Sequence, residues 1–242
     1  MTIGPVILQL DPPVATLTLN RPDNGNQLDV EMAYAVSEAC RTVAEDDGLQ
    51  LLILTAAGES FSIESEATPV ERPAESISGL KIPVLVALNG DATGPGLELA
   101  LAGDLRICVP TARFGFGGLA KGALPQDGGT QRLPRLVGPA WARDMLLTGR
   151  SVDAAEALSI GLVNRMADDL AAAVSEITEQ ITGGSPIGAR YAKEALGKGM
   201  DLSLEQGLGL EADLNVILQS TSDRAEGLKS FLEKRSPNFD GS

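Results

Sequence analysis

The chain has 242 residues, which suffices for one large domain or for one domain with a helical appendage. Hydrophobic residues make up 43% of the chain and aromatic residues 3%, so we expect a sizeable core of Leu, Val, Ile and Ala. The net charge of −14 argues against binding to nucleic acid or to an anionic membrane, because both favour a basic surface.

Three features that the sequence lacks limit its possible catalytic chemistry and its cellular location. The chain contains no histidine, which excludes Ser-His-Asp and Cys-His catalysis and His-ligated metal sites. Proton transfer near neutral pH therefore falls to carboxylates, Lys, Tyr or Cys. The sequence has no apolar run of about 18 residues and no basic-then-apolar leader, which predicts a soluble, cytoplasmic protein. Cys40 and Cys108 lie on apolar segments and are predicted to be buried free thiols.

The first part of the chain alternates strand and helix patterns. Residues 14–20 alternate with period two, which indicates a strand, and Asp29 is a suitable N-cap for the helix that follows. Residues 49–55 and 82–88 are nearly continuous apolar runs, typical of strands buried on both faces. Residues 62–78 are polar and irregular, and we predict a surface loop there.

A Gly-Pro-Gly turn at residues 94–96 is followed by a short apolar helix over about 96–102, then by a strand over 104–109. The loop at 115–129 contains six glycines, and the rest of the chain has helical patterns. The predicted later helices span residues 140–147, 153–159, 170–182, 186–198, 204–219 and 223–234. Together these patterns predict an α/β fold with a helical C-terminal region.

The turn before the short helix is a candidate site. A helix N-terminus presents free N–H groups and the positive end of the helix dipole, and an oxyanion or enolate fits such a place. Glu98 lies in the first turn of this helix. It is a candidate acid/base group, or alternatively a carboxylate that the dipole merely stabilises.

Motifs along nearly the whole chain resemble those of the enoyl-CoA hydratase/isomerase (crotonase) superfamily, in the same order. They cover residues 14–22, 26–28, 51–61, 82–104, 128–138, 146–149, 154–163 and 226–235. The resemblance implies a spiral of ββα units over residues 1–182 and a helical trimerisation region over 183–242. It also implies an acyl-CoA substrate whose thioester carbonyl is bound by two backbone N–H groups.

The resemblance assigns those two donors to specific residues. The first falls on Ser65, although the family glycine before it is replaced by Glu64. The second falls on Pro95, which has no N–H. Either the Gly96 N–H takes its place or this half of the oxyanion hole is lost. Alternatively, Pro95 is there because proline is a good first residue of a helix.

The same resemblance identifies the carboxylates. Hydratases of this family use two glutamates; Glu98 matches the first, and Gly118 stands at the position of the second. Asp127 is a candidate substitute, because dienoyl-CoA isomerases and chlorobenzoyl-CoA dehalogenases carry a catalytic aspartate one position earlier, at Gln126. Alternatively, Asp127 caps the helix that begins near Gly129.

These features predict an enzyme that acts on an acyl-CoA thioester through an enolate, by isomerisation or modified hydration rather than by two-glutamate hydration. Lys234 and Arg235 could contact the CoA phosphates or form a solvated helix end. No metal or redox cofactor is implied, CoA enters as part of the substrate, and a homotrimer or a dimer of trimers is expected. The alternatives are an inactive acyl-CoA-binding or scaffolding protein and a CoA-thioester hydrolase.

Overall fold

A computed structural model of the protein describes residues 1–64 and 71–242. The chain divides into two units. The first consists of Met1–Leu80 and Val84–Glu176, and the second of Lys81–Pro83 and Ile177–Ser242. The predicted division into a spiral core over 1–182 and a trimerisation region over 183–242 stays a prediction.

Short strands and helices alternate through the first unit, and helices make up most of the second. The strands are β1 (Thr2–Ile3), β2 (Val6–Asp11), β3 (Val14–Leu19), β4 (Leu51–Ala56), β5 (Val84–Leu88), β6 (Ala92–Thr93), β7 (Leu105–Cys108), β8 (Arg113–Gly115), β9 (Val152–Asp153) and β10 (Arg165–Met166). The helices are α1 (Val30–Ala44), α2 (Pro73–Ser78), α3 (Pro95–Leu101), α4 (Gly129–Thr148), α5 (Ala154–Ser159), α6 (Leu170–Thr182), α7 (Pro186–Gly199), α8 (Leu204–Gln219) and α9 (Ser222–Glu233). Among the described residues, no helix is both long enough and apolar enough to cross a bilayer.

Two sheets organise the first unit. The larger sheet has the strand order β1-β2-β3-β4-β5-β7-β10 and is parallel from β3 onward. The smaller sheet has the order β6-β8-β9, and Ser62 bridges to Ala92 of β6 in parallel. Three successive stretches (residues 51–62, 84–93 and 105–115) therefore contribute a strand to the larger sheet and then a short segment to the smaller one. This repetition agrees with the predicted α/β class.

The predicted strands over residues 49–55 and 82–88 and the first helix are confirmed as β4, β5 and α1, although β4 is half-buried at three of its six residues. Every residue of β5 is buried, as its continuous apolar sequence predicts. The Asp29 carboxylate caps α1 by accepting a hydrogen bond from the N–H of Met32 at 2.9 Å. Burial raises the pKa of the Cys40 thiol to about 12 and that of Cys108 to about 11, so both thiols remain protonated and unreactive at neutral pH.

The predicted loop over residues 62–78 is wrong at its C-terminal end. Residues 73–78 form α2, whose first helical residue is Pro73. Proline at that position is a helix-start signal, since its fixed φ suits the first turn. Residues 65–70 of the predicted loop lie outside the described part of the chain. Strand β2 was not predicted either; it pairs antiparallel with β3.

In the second unit, a buried carboxylate holds the end of the chain. Asp223, at the start of α9, accepts a hydrogen bond from the hydroxyl of Ser185 at 2.7 Å. Its other oxygen accepts from the N–H groups of Asp240 and Gly241, both at 3.1 Å. These bonds satisfy a charge that is otherwise costly to bury.

Candidate active site

Helix α3 begins where strand β6 of the smaller sheet ends. Gly94 turns the chain with a φ of 53°, and its N–H donates to the carbonyl of Gly115 at 2.9 Å. Pro95 is the first helical residue, where its missing N–H costs nothing. The interpretation of Pro95 as a helix-start residue is therefore confirmed. Pro95 contributes no oxyanion donor.

Gly96 is the first residue of α3 with an N–H group. Within residues 1–64 and 71–242 this N–H has no hydrogen-bond acceptor, as is usual in the first turn of a helix. A β-carbon at Gly96 would lie 2.3 Å from the carbonyl oxygen of Ser62, so only glycine fits this close approach. No described residue therefore occupies the Gly96 N–H, and its predicted role as the second oxyanion donor stays a prediction.

Glu98 is buried in α3, and its carboxylate binds the loop before α4. One oxygen accepts hydrogen bonds from the N–H groups of Asp127 at 2.7 Å and Gly129 at 2.8 Å. The other accepts from the N–H of Gln126 at 3.2 Å. Gly129 permits this, since a β-carbon there would lie 3.1 Å from the Glu98 oxygen. The carboxylate therefore faces the N-terminal end of α4, where its charge is favoured by the helix dipole.

The Asp127 carboxylate caps a different helix from the one that the sequence suggested. Its carboxylate accepts hydrogen bonds from the N–H groups of Ala74 at 2.6 Å and Glu75 at 3.2 Å, in the first turn of α2. Gly128, the N-cap of α4, has no side-chain cap. The interpretation of Asp127 as the cap of the helix near Gly129 is therefore wrong, because its carboxylate caps α2 instead.

Asp127 also has an unusual acidity. Burial raises the pKa of its carboxyl from the ordinary value of 3.8 to about 6. The hydrogen bond from the Ala74 N–H opposes this rise, and the nearby charge of Glu98 adds to it. A carboxyl with a pKa of about 6 exists in both protonation states near neutral pH, which suits a group that gives and takes protons.

The remaining predicted site residues are distributed as follows. Ser65 lies outside the described residues. Gly118 begins a 3-10 turn and offers no carboxylate. In the second unit, Lys234 ends α9 with a φ of 54°. Arg235 forms a two-bond ion pair with Glu226, at 2.5 and 2.9 Å. The predicted contacts of Lys234 and Arg235 with CoA stay predictions, and Arg235 would have to leave this pair to bind a phosphate.

The hydrogen-bond partners of the Glu98 and Asp127 carboxylates could not be predicted from the sequence. The partners of Glu98 and Asp127 are backbone N–H groups, which every residue but proline carries, so residue identity does not reveal them. One available signal was Pro73, whose position predicts the start of the helix that Asp127 caps. Arg132 also went unnoticed; its guanidinium donates to the Asp127 carbonyl at 2.5 Å and to the Ser78 hydroxyl at 3.0 Å.

The fold and these contacts define a class of protein. Glu98 is buried in the first turn of α3 and accepts the N–H of Asp127, whose own carboxyl has a pKa raised to about 6 by burial. Two carboxyl groups in different environments are a common way to divide proton-donor and proton-acceptor roles. Glu98 and Asp127 are therefore candidate acid/base residues of an α/β protein, and their catalytic role stays a prediction.

Comparison with known proteins identifies the family. The family model for enoyl-CoA hydratase/isomerase matches residues 11–242. A crotonyl-CoA hydratase from Syntrophomonas wolfei is 34% identical over 97% of both chains. An (E)-benzylidenesuccinyl-CoA hydratase from Thauera aromatica is 36% identical over 98% of this chain and 99% of its own. The crystal structure of an enoyl-CoA hydratase from Bacillus anthracis matches with a TM-score of 0.93 at 34% identity, covering 98% of this chain and 100% of that one. The chain belongs to the enoyl-CoA hydratase/isomerase family.

Proposed function

We propose that this protein is an enzyme that acts on an acyl-CoA thioester through an enolate, with Glu98 and Asp127 transferring protons. The observation that carries the proposal is the buried Glu98 carboxylate at the start of α3, where the Gly96 N–H has no acceptor among the described residues. The names of the relatives, which are hydratases of CoA esters, support the substrate class.

Within this class we propose double-bond isomerisation or a modified hydration. Two-glutamate hydration needs a carboxylate at position 118, where this chain has glycine. In isomerisation, a carboxylate takes a proton from one carbon of the acyl chain, and the C–H electron pair forms the enolate. The resulting carboxylic acid returns the proton to another carbon, so no water is consumed.

The test is deuterium exchange. The purified protein is incubated with a panel of enoyl- and dienoyl-CoA esters in D₂O, and mass spectrometry follows α- and γ-deuteration and net products. Deuteration or turnover of at least one ester is expected. The second candidate, an inactive acyl-CoA-binding protein, is favoured by the loss of a donor at Pro95 and of a carboxylate at Gly118. Binding of CoA esters without exchange or product would support it and refute the enzyme proposal.

The protonation of Asp127 gives a pH prediction. The wild-type rate should show an ionisation near pH 6, and Asp127→Asn should lose it, with turnover lower by about 10²–10⁴. Burial raises the pKa of Asp127 in the folded protein, so the folded state favours the protonated carboxyl. The contribution of Asp127 to the free energy of unfolding therefore falls as the pH rises through 6.

Urea unfolding at about pH 4.5 and about pH 7.5 checks the sign of this contribution. The free energy of unfolding of Asp127→Asn, relative to wild type, should rise between the two pH values by on the order of 1 kcal/mol, given partial solvent screening. A difference that does not change with pH would contradict the assignment. So would a rate profile that keeps its ionisation near pH 6 in the variant.

We also propose that the protein is cytoplasmic, that its substrate brings the only CoA, and that neither a metal nor a redox cofactor is needed. Lys234 and Arg235 are proposed to contact the CoA phosphates. Titration with CoA and with dephospho-CoA tests this contact. The affinity difference between the two should shrink when both residues are replaced by Gln.

A homotrimer or a dimer of trimers is proposed from the surface of the second unit. Leu204, Phe231 and Leu232 are each at least 80% exposed, an unusual exposure for large apolar side chains. Phe231→Glu with Leu232→Glu should shift the assembly to monomers in sedimentation velocity, because charge would be buried at the interface. Lys229→Gln on the same helix is the control and should keep the wild-type assembly. A wild-type protein that sediments as a monomer would refute the proposal.

A further inference from the structure

Glu64 lies at the ends of three neighbouring segments of the smaller sheet. Ser62 pairs in parallel with Ala92, and β6 pairs in parallel with β8. The N–H of Glu64 donates to the hydroxyl of Thr93 at 2.8 Å, which continues this alignment. Glu64 therefore leaves the sheet beside the turn that starts α3.

Two glycines make room for the Glu64 side chain. A β-carbon at Gly94 would lie 2.8 Å from the Glu64 Cγ, and one at Gly117 would lie 2.5 Å from Glu64 Oε2. Real β-carbons do not approach other atoms so closely, so the side chain depends on glycine at both positions. The methylene groups of Glu64 cross Gly94, and its carboxylate occupies the space of a side chain at position 117.

Gly94 contacts Glu98 directly, and Phe116, the neighbour of Gly117, lies near Gly129, a residue that the Glu98 carboxylate binds. The carbonyl of Gly94 accepts the N–H of Glu98 at 3.1 Å in the first turn of α3. Phe116, next to Gly117, has its ring 3.1 Å from the position of a β-carbon at Gly129, and Glu98 Oε1 is 3.1 Å from the same position. The Glu64 side chain thus lies beside the turn that starts the helix carrying Glu98.

Positions 64 and 118 both differ from the residues that the family resemblance leads us to expect. Residue 64 is glutamate where the resemblance leads us to expect glycine, and residue 118 is glycine where it leads us to expect glutamate. The structure brings the carboxylate of the first against Gly117, the neighbour of the second. The Glu64 carboxylate therefore lies against the residue next to position 118.

We propose that Glu64 is a further catalytic acid/base residue of this site, and that its carboxylate performs the proton transfer that Gly118 cannot. The inference rests on the proposed acyl-CoA chemistry. The Glu64 carboxylate takes a proton from a carbon of the acyl chain, and the C–H electron pair moves to the thioester oxygen as an enolate. Glu98 or Asp127, in its acid form, then gives a proton, or a deuteron in D₂O, to carbon, and exchange with solvent restores the starting protonation of the two carboxyl groups.

Glu64→Gln tests the proposal, since it keeps the side-chain shape against Gly94 and removes the proton acceptor. We expect deuterium exchange and turnover to fall by about 10²–10⁴, with KM changed by less than about threefold. Glu59→Gln is the matched control, because Glu59 is an exposed glutamate on the same segment. It should keep wild-type rates.

Gly117→Ala tests the placement independently. The backbone of Gly117, at φ −88° and ψ −6°, accepts alanine, so the added methyl acts by displacing the Glu64 carboxylate. The loss of exchange should match that of Glu64→Gln. In a Glu64→Ala background, which has no carboxylate to displace, Gly117→Ala should have no further effect.

The outcomes separate the two proposals. A wild type that exchanges deuterium while Glu64→Gln retains or exceeds its rate overturns the role of Glu64 alone. A Gly117→Ala loss that persists in the Glu64→Ala background overturns it as well. A wild type that binds CoA esters without exchange or product overturns the proposed function, and the role of Glu64 with it.

Discussion

Glu98→Gln is expected to lower turnover and deuterium exchange by about 10²–10⁴, while CoA esters still bind. The amide cannot accept a proton from the substrate. In the wild type, the two carboxylate oxygens accept hydrogen bonds from three backbone N–H groups. The amide replaces one of these oxygens with an NH₂ group, which cannot accept such a bond. Leaving one such buried donor unsatisfied should cost about 1–3 kcal/mol of the free energy of unfolding. The rate and the unfolding free energy should both be measured, at a temperature where the variant is folded.

Glu31→Gln is the control for this prediction. Glu31 also lies in the first turn of a helix, and its side chain is 70% exposed. Its replacement should leave both the rate and the free energy of unfolding near their wild-type values, since exposed pairs contribute little. A Glu98→Gln protein that is destabilised but keeps the wild-type rate would reduce Glu98 to a structural role, that of holding the loop before α4.

The parts of the fold that could be predicted from sequence depend on local patterns. The continuous apolar run of β5 and the Asp29 N-cap of α1 were predicted because burial on both faces and end-capping depend on a few adjacent residues. Strand β2 has Gln9 and exposed residues at its end, so its pattern is weaker. Its pairing with β3 is a tertiary fact that a local pattern does not contain.

The site was predictable in its residue types and not in its contacts. Glu98 was identified from its place in the first turn of an apolar helix and from the family resemblance, and Asp127 from that resemblance. Their partners are distant backbone groups; Asp127 binds Ala74, 53 positions earlier. The closeness of Glu64 to Gly117 is of the same kind. It depends on the parallel alignment of segments that lie far apart in sequence.

The start of α3 shows how closely the site is packed. Gly96 is helical, and alanine is the better helix former, so local propensity alone would favour Gly96→Ala. Its β-carbon, however, would lie 2.3 Å from the Ser62 carbonyl oxygen and 2.6 Å from the Ser62 Cβ. A backbone carbonyl cannot rotate away as a side chain can. The helix or the segment carrying Ser62 must therefore move.

Gly96→Ala is accordingly expected to lower the free energy of unfolding by about 3 kcal/mol and the turnover by about 10²-fold or more. The rate falls because α3 carries both Glu98 and the proposed oxyanion donor, and a displacement of about 1 Å misplaces both relative to the substrate. Gly197→Ala in α7 is the matched control, since no atom lies within 4 Å of its β-carbon. That variant should gain about 0.5–1 kcal/mol from helix propensity and keep its rate. Urea unfolding and steady-state kinetics measure both quantities. A Gly96→Ala protein with wild-type stability and turnover would mean that α3 and Ser62 tolerate a wider separation, and that the position of the Gly96 N–H does not limit the rate.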